Sequence, residues 1–103
     1  MGNKYRAIRT WSELCQRWFA SKAEARRGEE LCLLEKEGEI SQLVYQSGFQ
    51  LSSNPKVSIA IDFEYIEDGV RKFEDTKGVL TRDFRTKLAW LKQRYNIDVI
   101  LSK

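Results

Sequence analysis

The sequence predicts an α/β (α+β) fold around a mixed central sheet, with elements in the order helix, strand, strand, strand, helix, strand. Three observations carry this. Leu43 to Leu51 and Val57 to Tyr65 alternate apolar and polar residues with the period of a half-buried strand. Asp68-Gly69, the preferred dipeptide of a two-residue hairpin turn, follows the second stretch. Two helical segments flank this block, one opened by a capping-box spacing and one carrying an apolar stripe.

In chain order, residues 1–20 form an N-terminal extension, in which Thr10 to Phe19 reads as a short helix capped by Thr10 with Glu13. Ser21-Lys22-Ala23-Glu24 starts the first main helix, and Glu37-Gly38 stops it. Pro55, the only proline, lies in a Ser-Ser-Asn-Pro turn between the two alternating stretches. The Asp-Gly turn leads into a third strand, Val70 through Lys77. Phe84, Leu88, Leu91 and Tyr95 recur at i, i+4, i+7 and i+11 after a cap at Thr81, predicting a helix that ends near Asn96. Ile97 to Leu101 is expected to close the sheet as a buried strand.

At 103 residues and 12.1 kDa, with 42% apolar and 32% charged residues, the chain is expected to form one globular domain over residues 1–103. Apolar runs stop far short of the roughly 20 residues that span a bilayer, and Met1 to Arg9 lacks a secretory pattern, so a cytoplasmic protein without membrane contact is expected. The chain has no histidine, which removes Ser-His and Cys-His nucleophile pairs and the usual Cys/His zinc sites. Cys15 and Cys32 lack a CxxC spacing and read as small core hydrophobes. Net charge is only +3, but it is segregated: residues 38–69 carry 1 basic and 5 acidic side chains, and residues 70–103 carry 9 and 4. A metal site beside a phosphate-binding surface has that distribution, and so has a set of solvated faces.

The hairpin register sharpens the choice. With Asp68 and Gly69 as loop residues, Asp62 faces Asp75 and Ala60 faces Lys77, and alternation puts both aspartates and the lysine on one face. Facing like charges destabilise a sheet unless a cation, a proton or bulk water compensates, and oxygen-only ligands select Mg²⁺ or Mn²⁺. Water is the plainer alternative, with Lys77 pairing Asp75 at the surface. Glu74 falls on the opposite face, and Glu64 lies one pair nearer the turn. Glu24 shares a helix side with Gly28 and Leu31, an unexpected place for an acid, although a capping box with Ser21 accounts for the spacing entirely.

These residues resemble the PD-(D/E)XK nuclease superfamily, whose restriction-endonuclease-like core runs helix, three strands, helix, strand. The likeness extends from Phe19 to about Ile100 through Ser21-Lys22-Ala23-Glu24, Gln46, Asp62-Phe63-Glu64, Glu74-Asp75-Thr76-Lys77 and Thr81 with Phe84 to Lys87. The chain looks most like small phage-encoded members related in fold to Holliday-junction resolvases. It departs from the pattern at Ile61, where the superfamily name has proline, and at Trp11 to Trp18, which has no counterpart.

The resemblance implies that Glu24, Asp62 and Asp75 are metal-site acids, Lys77 the catalytic lysine, and Gln46 a supporting or substrate-contacting residue. The expected activity is Mg²⁺- or Mn²⁺-dependent hydrolysis of DNA phosphodiesters, structure-specific for a junction or flap, in phage recombination, repair or processing. Arg82, Arg85, Lys87, Lys92 and Arg94 are candidate DNA-backbone contacts. The alternative is a non-catalytic module on the same fold that binds DNA or blocks a host enzyme. Trp11, Trp18 and Trp90 are candidates either for a homodimer interface or for buried aromatic packing.

Overall fold

The computed structural model describes residues 7–102. It is an α+β fold with eight elements: β1 (Thr10–Ser12), β2 (Arg17–Phe19), α1 (Lys22–Lys36), β3 (Ser41–Ser53), β4 (Lys56–Glu67), β5 (Val70–Thr76), α2 (Arg82–Tyr95) and β6 (Val99–Ser102). Strands β3 to β6 form the main sheet in that spatial order, antiparallel as far as β5 and parallel between β5 and β6. The mixed sheet and the order of its helices and strands are those the sequence predicts.

Local chemistry explains the helix ends. The Ser21 hydroxyl accepts the Glu24 amide at 3.1 Å to open α1, and Thr81 Oγ1 accepts the Phe84 amide at 3.2 Å to open α2. Asn96 stops α2 in a left-handed conformation, φ 57°, which few residue types besides glycine tolerate. Asp68 and Gly69, at φ 53° and 76°, make the tight turn, and the ladder from Glu67↔Val70 to Phe63↔Glu74 follows the predicted register.

Two apolar clusters lie on the sheet. Phe63 and Tyr65 join Phe19, Ala25, Leu31 and Ile40 beneath α1. Ile59 and Ile61 join Leu51 and Leu91, with Phe84 and Leu88 of α2 packed against them. Ile61 and Phe63 therefore serve different cores, and Asp62 lies at the handover.

Four expectations are corrected. Thr10 to Phe19 is a hairpin, pairing Thr10↔Phe19, Trp11↔Trp18 and Ser12↔Arg17. A cross-strand tryptophan pair, rings 5.6 Å apart, favours extended backbone, and the Thr10 hydroxyl donates to the Ile8 carbonyl instead of capping a helix. The last strand is not buried: Ile100 and Leu101 are exposed because β6 is the sheet edge, paired on one side only. Ala60 does not face Lys77, since β5 leaves β4 there and the Lys77 amide donates to the Ser102 carbonyl of β6 at 2.9 Å. Trp11, Trp18 and Trp90 are all exposed, which removes the buried-packing reading of them. Cys15 and Cys32 are free and partly buried, with Cys15 against the α1 core.

Candidate functional site

The β4–β5 ladder stops at Phe63↔Glu74, and side chains take over its hydrogen bonds. The Asp62 amide donates to Asp75 Oδ1 at 2.9 Å, and the Thr76 amide donates to Asp62 Oδ2 at 2.9 Å. Each aspartate thus accepts a backbone donor from the opposite strand, which holds both carboxylates at the point where the strands part. Both are buried. Asp75 Oδ2 has no hydrogen-bond donor among the described residues, although Lys77 Nζ stands 3.1 Å away as an ion-pair partner.

Glu24 comes to this pair from α1. A capping box would turn its carboxylate back to the Ser21 amide, but only half of the box is made: the Ser21 hydroxyl caps the helix, and Glu24 Oε2 instead meets Gln46 Nε2 at 3.5 Å. The same Gln46 amide donates to Asp62 Oδ1 at 3.1 Å, bridging the two acids. Gln46 sits in β3 at φ 54°, a left-handed conformation that a residue with a Cβ adopts at a cost, so its side chain is aimed at the carboxylates against the local backbone preference.

Crowding shows in the acidities. Burial, then the charges of Asp62 and Asp75, push the Glu24 carboxyl up to about 7, against the pull of Lys77 and Arg17. Burial and Asp75 likewise hold Asp62 above the usual carboxylate range, opposed by the Thr76 amide, Gln46 and Lys77. Three buried acids face the Lys77 ammonium and, at Glu24, the Arg17 guanidinium, which leaves a surplus of negative charge that a hard divalent cation would neutralise. The all-oxygen donor set and the orphaned Asp75 Oδ2 fit such an ion. Among the described residues, no three acid or thiol groups already converge into a ready-made cluster, so Glu24 is a partner of the aspartates across Gln46.

A cavity of about 730 Å³ opens beside these groups, lined by the first turns of both helices, Glu24 and Lys77 to Val79. The Lys77 ammonium lies over the Phe84 ring, 4.4 Å from its centroid, which steadies it at the cavity wall. The basic residues of α2 divide. Arg82 and Arg85 are exposed near the cavity and have no acidic partner among the described residues. Lys87 pairs with Asp83 at 3.5 Å, Lys92 pairs with Asp98 at 2.8 Å, and Arg94 lies over Tyr95. Lys92 is ten residues, about 15 Å, from Arg82 along the helix, so Arg82, Arg85 and Lys87 lie toward the cavity end of α2 and Lys92 and Arg94 toward its far end.

The neighbouring acids Glu74 and Glu64 have partners of their own. Glu74 faces away from Asp75, accepting from Arg27 Nε at 2.6 Å and from the Tyr65 hydroxyl at 2.8 Å. Glu64 is held by Ser47 and Arg71. Sequence reasoning missed Arg17, whose guanidinium lines an open hollow of about 460 Å³ together with Trp18, Glu24 and Gln46. The signal was the Trp11–Trp18 pair, which three-residue strands are too short to reveal through periodicity.

Comparison with curated proteins and with solved structures gives no match. One family model matches residues 2–102, nearly the whole length of the sequence, and includes every residue of the site described above. The chain belongs to the family described as Protein of unknown function (DUF1064).

Proposed function

We propose that this protein is a metal-dependent endodeoxyribonuclease of the PD-(D/E)XK kind, of phage origin, acting on DNA in the host cytoplasm. The observation that carries the reading is the surplus of buried negative charge where β4 and β5 part: Glu24, Asp62 and Asp75 against the ammonium of Lys77, with the Arg17 guanidinium acting on Glu24 alone. The order of these residues along helix and strands, Glu, Asp, then Asp-x-Lys, supports it as well.

Asp62 and Asp75 would hold Mg²⁺ or Mn²⁺, with Glu24 joining through water. When bound, the ion supplies Lewis acidity toward a phosphate oxygen and lowers the pKa of a water. The remaining work belongs to the chain. Lys77 lies between Asp75 and the cavity and can donate to the attacking water or to the charge that develops on the phosphate. Gln46 keeps Glu24 and Asp62 at a fixed spacing. Glu24, its carboxyl pushed up to about 7, would have to release its proton to join in holding a cation. Arg82 and Arg85 would hold the DNA backbone at the cavity mouth.

Cleavage of plasmid and branched DNA with Mg²⁺ or Mn²⁺ tests the reading. Wild type should cut, and Lys77→Ala and Asp75→Ala should each lose at least 100-fold in rate; cutting unchanged in both variants overturns it. One observation favours a non-catalytic DNA-binding module instead, namely the lack of three already convergent acids among the described residues. DNA binding indifferent to metal and to Asp75→Ala, without cleavage, would select that alternative.

A further inference from the structure

We propose that the β1–β2 hairpin is a subsite for an unpaired nucleotide next to the candidate cleavage site, with Arg17 taking a phosphate and Trp18 stacking a base. This rests on the nuclease reading for the identity of the ligand as DNA.

Arg17 is the first observation. Its guanidinium lies 4.1 Å from the centre of the Tyr45 ring and 5.4 Å from that of Phe19, so two aromatic rings fix its plane. Its Nε is buried and has no hydrogen-bond acceptor, and no acid pairs with it among the described residues. A half-buried, oriented cation with an unpaired donor calls for an anion, and a phosphate matches the guanidinium group. The hollow beside it continues to Glu24 and Gln46, so an anion held there is one step along a chain from the acids.

Trp18 is the second. It is 49% exposed on the same hollow, backed edge-on by Trp11, with the Arg9 guanidinium 4.7 Å from its ring centre. Arg9 is itself exposed, so a base can displace it from the ring and free a second cation for the backbone. Large exposed aromatics beside unpaired arginines fit a strand whose bases are out of the duplex stack.

The platform is anchored. Phe19 packs so closely on α1 that a Cβ on Gly28 would stand 2.6 Å from its Cζ, and the Ser12 hydroxyl donates to Glu29 at 2.6 Å. A fixed aromatic platform beside the acids selects DNA with an unpaired segment at the cut, a flap or a single-stranded branch, over uninterrupted duplex.

Fluorescence anisotropy in EDTA, with a labelled single-stranded oligonucleotide and a blunt duplex of equal length, tests the subsite apart from chemistry. Trp18→Ala and Arg17→Gln should each weaken single-strand binding about tenfold and leave duplex binding unchanged. Trp18→Phe should retain most of the affinity, and Trp11→Ala, which removes the same ring pair but lies outside the hollow, should lose less than threefold. Equal weakening on both DNAs, Trp18→Phe as poor as Trp18→Ala, or self-association lost in Trp18→Ala without a DNA effect overturns the subsite. A parallel cleavage assay separates the two readings. Single-strand preference without any metal-dependent cutting removes the nuclease and keeps the subsite, whereas cutting of flap and duplex alike by wild type and Trp18→Ala removes the subsite and keeps the nuclease.

Discussion

Glu74 and Asp75 are adjacent on β5, both almost wholly buried, and they point to opposite faces of the sheet. On the α1 side, Glu74 receives Arg27 in a two-pronged ion pair and the Tyr65 hydroxyl, so its charge is matched and its oxygens are filled. Burial alone would raise its pKa, but Arg27, Tyr65 and Ser102 together hold it below the usual range. On the other face, Asp75 shares Lys77 with two further acids and keeps one oxygen without a hydrogen bond. The first arrangement is complete as folded. The second is left unbalanced, the arrangement that marks a candidate functional site.

Charge removal on the two faces should therefore have unequal consequences, and this is the largest effect expected. Glu74→Ala leaves Arg27 and Tyr65 facing a void and should destabilise by roughly 3 kcal/mol in a denaturant titration. Asp75→Asn keeps an oxygen for the Asp62 amide while removing repulsion, so the metal-free protein should unfold within about 1 kcal/mol of wild type. A Glu74→Ala variant as stable as wild type would erase the contrast.

A pH series sharpens it. The folded Glu24 carboxyl titrates at about 7, above its ordinary 4.5, so the native state binds the proton more tightly and unfolding releases it. Its contribution is full below pH 4.5 and lost as pH rises through 7, a decline of up to roughly 3 kcal/mol in EDTA. Asp62 adds a slope of the same sign. Glu74, with its folded pKa lowered, acts in reverse: its contribution is present above its ordinary pKa and lost as pH falls through the folded value. Glu24→Gln should flatten the neutral slope and leave the acid limb unchanged, as read from melting temperature against pH. Mn²⁺ should stabilise the wild type near pH 8 but have little effect on Asp75→Ala, which removes one of the two aspartates that would hold the ion.

The smallest expected effect tests how the hairpin is held against the site. Gly28→Ala gains helix propensity but drives a methyl into Phe19, for a net loss of about 1 kcal/mol. Because Phe19 carries β2, the same variant should disturb the Trp11–Trp18 pair, visible in near-ultraviolet circular dichroism, while the acids at the β4–β5 parting stay in place.

The separate histories of these residues explain what was legible. Asp62 and Asp75 are brought together by thirteen residues of chain whose geometry is local: a two-residue turn with two left-handed positions, and a strand period of two. That arithmetic held as far as Phe63↔Glu74 and failed at Lys77, where β6 competes for the backbone of β5. The role of Glu24 was ambiguous because the same four residues serve a capping box or a site, and only the approach of Gln46 from β3 decides between them.

By itself, then, the sequence determined the helices, the hairpin register, the mixed sheet and the gathering of two aspartates, because caps, turn dipeptides and alternation act over a few residues. Tertiary structure alone decided that β1 and β2 pair, that β6 lies exposed at the edge, that Glu74 is neutralised by Arg27, 47 residues away, and that Arg17 lies beside Glu24. Each of those depends on which distant surfaces bury one another, a free energy summed over the whole fold that no short window of sequence contains.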